Sequence, residues 1–169
     1  IETEELGMKR TEIFDAIQKS ETNDILKAFV ENIISRSISL IKKNKEEKHK
    51  HIVDKALDYI NKNYQDSSIT LNDVANHVYL SPRYLNSIFK AETCCTIYEY
   101  ITKLRMNAAA RLLTSTDYKI NSIAEKVGYN SIQSFLRLFK KIYSMSPLEY
   151  KRKFCNDGGV KQIMKADEG

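Results

Sequence analysis

The sequence predicts an all-α protein: two copies of a two-helix unit joined by a long connecting helix and preceded by an N-terminal helical segment. Three observations carry this prediction. Five Gly and two Pro among 169 residues are too few for a strand-and-turn architecture, whereas the abundant Lys, Glu, Leu, Ile and Ala suit helices. The chain also repeats itself. Leu71-Asn72-Asp73-Val74-Ala75-Asn76-His77-Val78 set over Ile120-Asn121-Ser122-Ile123-Ala124-Glu125-Lys126-Val127 aligns Leu/Ile, Val/Ile, Ala/Ala and Val/Val at an offset of 49, with helical i, i+3, i+4, i+7 spacing. One residue is then gained, and at an offset of 50 Leu85, Ile88, Phe89 and Lys90 match Phe135, Leu138, Phe139 and Lys140. Finally, each copy leads into a further helix through a hydroxyl N-cap with Glu three residues on: Thr96 with Glu99, Ser146 with Glu149.

Taken in order, residues 1–48 form the N-terminal segment. Leu6, Ile13, Phe14 and Ile17 mark one helix; after Ser20 to Asn23, an apolar series from Ile25 through Val30 and Ile34 to Ile41 marks a longer one. Two such helices cannot bury that stripe against each other alone. It therefore packs on the rest of the protein, on a region outside this chain, or on a second copy through a helical bundle. Lys42 to Lys50 is a charged connector, read as a solvated helix or linker. Residues 49–155 hold the repeat. Ile52, Val53, Ala56, Leu57, Ile60 and Tyr64 line one face of a leading helix. Thr70 caps the next, which ends near Val78; Tyr79 and Leu80 turn the chain, and Ser81 with Pro82 starts another as N-cap and first helical residue. The connecting helix carries Ile97, Tyr100, Ile101, Leu104, Ala108, Leu112 and Leu113. With about 17 residues it spans roughly 25 Å, which suits two units separated by about one DNA turn, ~34 Å. In the second copy Gly128 occupies the sharp turn that favours positive φ. Residues 156–169, with Gly158-Gly159, read as a flexible tail.

Charge separates these parts. The chain carries a formal net charge of +5 and a pI of about 9.0. Residues 1–48 hold 9 basic and 10 acidic side chains, residues 49–155 hold 16 and 9, and residues 156–169 hold 2 and 3. The positive excess thus sits on the repeat, where a polyanion should bind. Three cysteines, Cys94 and Cys95 adjacent, give no disulfide framework and suit a reducing, cytoplasmic setting. No apolar run approaches the ~20 residues of a membrane span. The opening Ile1-Glu2-Thr3-Glu4-Glu5 resembles neither a signal peptide nor a natural start, so the chain is expected to be the C-terminal part of a longer one. His49, His51 and His77 do not combine with the cysteines at a metal spacing. Phosphate loops, nucleophile elbows and triad spacings are missing. Neither cofactor nor catalysis is expected.

Two short helices about a tight turn, twice, form a helix-turn-helix pattern. At Ile123-Ala124-Glu125-Lys126-Val127-Gly128-Tyr129-Asn130, then Phe135, Arg137, Phe139-Lys140-Lys141 and Ser146-Pro147-Leu148-Glu149-Tyr150-Lys151, the chain resembles the C-terminal DNA-binding domain of AraC/XylS-type transcription regulators. The resemblance covers about Ile52 to Phe154. It implies two helix-turn-helix units on a rigid connecting helix, bound to neighbouring major grooves on one face of double-stranded DNA. It also implies a sensory or dimerising region upstream, and more often activation than repression, which makes RNA polymerase a candidate partner beside a second copy joined through residues 1–48. The chain departs from the family where Gly usually follows each recognition helix, with Cys94 and Ser144 there. Each costs about 1 kcal/mol if its φ is positive. Ser134 stands where an aromatic commonly precedes Phe135, and Leu136 replaces a small residue.

In the first unit Leu85, Ile88 and Phe89 face inward, and in the second Phe135, Leu138 and Phe139 do. Early outward positions on such helices reach base edges and later basic ones meet phosphates. The expected base readers are therefore Arg83, Asn86 and Ser87, with Ile132, Gln133, Ser134 and Arg137. Arg137 suits guanine, Gln133 adenine and Ile132 a thymine methyl. Lys90, Lys140 and Lys141, with backbone N–H groups near Ser81 and Asn130, are expected on phosphates. The competing reading is a helical protein–protein interaction module whose helix-turn-helix surfaces meet protein and whose N-terminal helices dimerise.

Overall fold

A computed structural model describes residues 23–156 together with Thr11 and Asp15. The helix expected on Leu6, Ile13, Phe14 and Ile17 and the tail after Asn156 lie outside the described residues. The described residues form seven helices: α1 (Asn23–Asn63), α2 (Leu71–His77), α3 (Pro82–Thr93), α4 (Ile97–Ser115), α5 (Ile120–Lys126), α6 (Ile132–Tyr143) and α7 (Pro147–Asn156). The chain divides into two compact units, Ile1–His51 and Ile52–Gly169.

In the first unit the longer expected helix and the charged stretch from Lys42 to Lys50 are all part of α1. Helix formers and the i,i+4 pairs Lys42–Glu46 and Lys43–Glu47, each at 4.0 Å, favour helix over an open linker. Such exposed pairs add only a few tenths of a kcal/mol. One side of this stretch is apolar and exposed: Val30, Ile34, Ile38 and Ile41 are 45%, 51%, 61% and 55% accessible.

The second unit has two cores, threaded by α4. In the first lobe the end of α1, α2 and α3 close over Val53, Ala56, Ile60, Val74, Leu85 and Phe89, with Ile97 and Ile101 from the start of α4. In the second, α5, α6 and α7 close over Ile123, Val127, Phe135, Phe139 and Tyr150, with Met106 to Leu113 from the rest of α4. At 19 residues α4 spans about 28 Å, somewhat longer than expected. Ala75 and Ala124, one per lobe, are buried in the two cores.

The expected helix starts are present. Thr70 and Asp73 form a capping box on α2, as do Thr96 and Glu99 on α4. On α7, Ser146 N donates to Glu149 Oε2 at 2.7 Å while Glu149 N donates back to Ser146 Oγ at 3.3 Å. These bonds hold the Asp73, Glu99 and Glu149 carboxyls below the usual carboxylate range. The N-cap of α5, Lys119, makes no side-chain capping bond.

Both copies turn in the same way. The N–H groups of Tyr79 and Leu80 donate to Asn76 O and Ala75 O at 3.2 and 3.0 Å; those of Gly128 and Tyr129 donate to Glu125 O and Ala124 O at 3.0 and 2.9 Å. This double pattern is a Schellman closure, which puts the residue after the cap in the left-handed region. That residue is Tyr79 (φ 57°) in one copy and Gly128 (φ 91°) in the other. Positive φ at Gly128 was expected; at Tyr79 it was not. The backbone turn imposes it, and the Tyr79 ring, 94% accessible, meets no crowding. Cys94 (φ 59°) and Ser144 (φ 57°) are likewise left-handed, so each carries the cost of about 1 kcal/mol foreseen for a non-Gly residue.

Candidate nucleic-acid interface

The exposed sides of α3 and α6 are built by the same rule. In α3, Ser81 Oγ accepts from Tyr84 N at 3.4 Å and Pro82 takes the first helical position, where a missing N–H costs nothing. Leu85, Ile88 and Phe89 are buried, which fixes the rotation of the helix. Arg83, Ser87 and Lys90 then face water. In α6, Ser131 Oγ accepts from Ser134 N at 3.3 Å and donates to Gln133 Oε1 at 3.2 Å. Phe135 and Phe139 are buried and Leu138 packs half-buried on the same core. Gln133, Arg137, Lys140 and Lys141 face water.

Three expected base readers sit differently. The Asn86 side chain is half-buried and its Oδ1 accepts from Ile97 N at 3.2 Å. It thereby satisfies one of the N–H groups that the first turn of α4 leaves without an intrahelical partner. This task ties α3 to α4, and a reading based on an outward face alone does not anticipate it. Ile132 packs half-buried against the second core, and Ser134 is half-buried with its N–H held by Ser131. Conversely, Leu136 lies on the outer side of α6 between Gln133 and Arg137 and is 38% accessible. Its spacing from Gln133 was legible, but an apolar residue at an outer position carries no polar signal. Of the residues expected at phosphates, Ser81, Lys90, Asn130, Lys140 and Lys141 are all exposed, Ser81 and Asn130 beside the starts of α3 and α6.

The basic character is unequal. Near its end α6 carries Lys140 and Lys141, and α3 carries Lys90 alone. Among the described residues no three His, Cys, Asp or Glu side chains are grouped to hold a metal ion, and no helix is long and apolar enough to cross a membrane.

Fold and surfaces together define a double helix-turn-helix module with its two recognition helices joined through α4. A family model described as "Helix-turn-helix domain" matches residues 74–153. The melibiose operon regulatory protein of Escherichia coli K12 is 37% identical over 123 residues, 72% of this chain and 40% of that protein. The C-terminal domain of AraT, a response regulator from Geobacillus stearothermophilus, is 41% identical with a TM-score of 0.59, over 60% of this chain and 84% of that one. The DNA-binding domain of AdpA, a global transcriptional factor solved with a target DNA, shares the fold at 19% identity, with a TM-score of 0.59 over 62% and 94% of the two chains. The chain belongs to the AraC-type family of helix-turn-helix transcription regulators, matching their DNA-binding domain. It spans less than half the length of the curated relatives it matches first.

Proposed function

We propose that residues 49–155 bind a specific duplex sequence by placing α3 and α6 in adjacent major grooves, and that the parent protein thereby controls transcription, as an activator, in the cytoplasm. One observation carries this reading. Both helices turn the same three repeat positions inward, Leu85/Phe135 and Phe89/Phe139 buried and Ile88/Leu138 packed on the core with Leu138 half-buried, and leave the opposite side with Lys90 and Lys140 in matching places. An α-helix with one side anchored and the other polar and basic is what a major groove admits. On this reading Arg83 and Ser87 read bases from α3, and Gln133 and Arg137 from α6. Leu136, rather than the half-buried Ile132, offers the apolar contact for a thymine methyl. Asn86 serves α3 from within by holding Ile97, and Ser134 by its place in the cap. Ser81, Lys90, Asn130, Lys140 and Lys141 meet phosphates.

Residues 1–48 are proposed to join two copies of the protein, since the exposed apolar side of α1 is wide enough for a bundle. RNA polymerase is the further partner an activator would meet. No catalytic role is proposed.

Selection from pooled random duplexes by mobility shift tests the reading. A binder should enrich one sequence class and lose affinity steeply with salt; an adaptor that meets only protein should enrich none. On the enriched site Arg137→Ala should cost about 1–3 kcal/mol and relax preference at one base pair. Lys140→Ala should weaken all duplexes alike and reduce the salt slope by about 1. Unaltered base preference in the Arg137 variant would remove that residue from the readers.

A further inference from the structure

Arg105 sits at the middle of α4, between Ile101 of the first core and Met106 of the second. Its Nε donates to Tyr64 O at 2.7 Å and an Nη to Asp66 O at 2.8 Å. Both carbonyls belong to the turn just past the end of α1, at Asn63, where the helix dipole favours a cation; Asp66 O also accepts from Ile69 N at 3.3 Å. The guanidinium also lies over the Tyr129 ring, 5.3 Å from its centroid, and Tyr129 follows the turn of the second lobe. Gly128 closes the same spot. A Cβ there would lie 2.8 Å from Gln65 O and 3.0 Å from both Arg105 Nε and Tyr64 O, so the turn approaches the end of α1 as closely as backbone can. Tyr64 itself packs against both cores. Three chain segments, 64–66, 105 and 128–129, therefore meet at one guanidinium, the first bracing the first lobe and the last belonging to the second.

Apart from this meeting point, α4 is the helix that contributes to both cores, and a single helix bends and twists gently along its length. A planar fork that bonds two carbonyls and stacks on a ring fixes direction as well as distance, which an ammonium does not. Tyr79, the counterpart of Gly128, has no such neighbour and points to water, so the clasp is particular to the second lobe.

We propose that Arg105 is a positioning residue for DNA binding: its clasp on the end of α1 and the Gly128–Tyr129 turn holds α3 and α6 at one separation and phase. The proposal rests on the two-groove reading above. A preformed separation contributes to affinity by lowering the ordering cost of binding, and it penalises duplexes whose two contacted segments are out of phase.

The test uses the whole chain and the duplex enriched by the selection above. That duplex is remade with one base pair inserted or deleted between the two contacted segments, and affinities are measured at one salt concentration. The unsubstituted protein should lose about tenfold or more on either change, since one step rotates the second segment by about a tenth of a turn. Arg105→Gln should bind the original duplex about tenfold more weakly and tolerate insertion and deletion within about threefold, a relaxed spacing that uniform destabilisation does not produce. Arg105→Lys should fall between, closer to Gln. Thermal unfolding followed by circular dichroism shows which variants are folded. If Arg105→Gln is not, Arg105→Lys carries the same two measurements. A spacing-strict protein whose folded Arg105 variant is equally strict and equally tight overturns the clasp. An unsubstituted protein indifferent to spacing overturns the two-groove reading beneath it.

Discussion

The two lobes of the DNA-binding unit share a backbone plan and differ in what fills it. The first lobe is held mainly by aliphatic side chains, with Phe89 meeting the edge of Tyr100 at 5.7 Å. The second is a chain of rings. Phe139 lies 5.8 Å from Phe135, 4.6 Å from Tyr143 and 5.4 Å from Tyr150, and Tyr150 reaches Phe154 at 4.5 Å. The lobes also differ at their turns: Tyr79 stands in water, whereas Gly128 is pressed against the end of α1 and Arg105. What repeats is the pattern of inward positions, the Schellman turn and the hydroxyl caps, and these are enough to specify the plan. Side-chain identity within the plan is free to serve other ends. In the second lobe it serves docking against α1 and a more basic recognition helix.

The largest effect that separates the lobes should come from their central phenylalanines. Phe89 and Phe139 occupy equivalent places and are both wholly buried. Truncation of such a residue to Ala costs about 3–5 kcal/mol through lost burial and the cavity left behind. Aromatic pairs add about 0.5–1.5 kcal/mol each beyond buried area, and Phe139 has three such partners against one for Phe89. Phe139→Ala should therefore exceed Phe89→Ala by at least about 1 kcal/mol in urea unfolding. Equal costs would show that the ring cluster adds no more than aliphatic packing does.

The turns give smaller effects, again larger in the second lobe. Gly128→Ala forces a Cβ to within 2.8 Å of Gln65 O at a φ of 91°. It should destabilise by more than about 1 kcal/mol, since the backbone conformation disfavours it even before the contact is counted. Tyr79→Gly removes the left-handed cost but adds freedom to the unfolded chain, effects of about 1 and 0.5–1 kcal/mol that nearly cancel. Its urea midpoint should stay within about 0.5 kcal/mol of the original. A marked loss on Tyr79→Gly would mean that the exposed ring holds something in the folded chain.

This contrast shows what the sequence made legible. Positions set by short-range rules were readable: the caps at Thr70, Ser81, Thr96 and Ser146, the inward triplets of α3 and α6, and the left-handed sites at Cys94, Gly128 and Ser144. Tyr79 escaped because a tyrosine does not advertise positive φ, although the repeat offset pairs it with Gly128. The buried face of α4 was underestimated. Leu104, Ala108 and Leu112 were expected on one stripe, yet Leu104 and Leu112 are half-buried while Met106, Ala109 and Ala110, outside that stripe, are buried with Ala108. The reason is that α5 and α7 both pack against α4, and small alanines let them approach from more than one side. Arg105 was unreadable, since its partners lie 39 and 41 residues away and are backbone carbonyls, which every residue has. Asn86 belongs with it: an amide on an outward arc looks like a base reader until the N-terminus of α4 is placed beside it.

The smallest predicted difference concerns pH. Burial pushes the Tyr143 hydroxyl up to about 12, with Tyr150 acting in the same direction, and burial also raises Tyr150 and Tyr129. A group whose pKa is raised on folding contributes stability that is present below its unfolded pKa and lost as pH rises through the folded one. For Tyr143 that window runs from about 10, the ordinary tyrosine value, to about 12. The capping carboxylates act at the other end. Asp73, Glu99 and Glu149 are lowered by their bonds to the N-cap residues, so their contribution is present above the ordinary carboxylate range and lost as pH falls through the folded values. Two of these three belong to the first lobe, while the raised tyrosines belong to the second. Alkali should thus loosen the second lobe first. Tyr143→Phe, which gives up the 3.1 Å bond to Asn107 Oδ1, should cost about 1 kcal/mol at pH 8 and then lose stability less steeply than the original protein between pH 10 and 12. Tyrosine absorbance and circular dichroism recorded along the same alkaline titration measure both slopes. Identical slopes in the two proteins would show that the Tyr143 hydroxyl titrates without coupling to the fold, and would remove the pH asymmetry between the lobes.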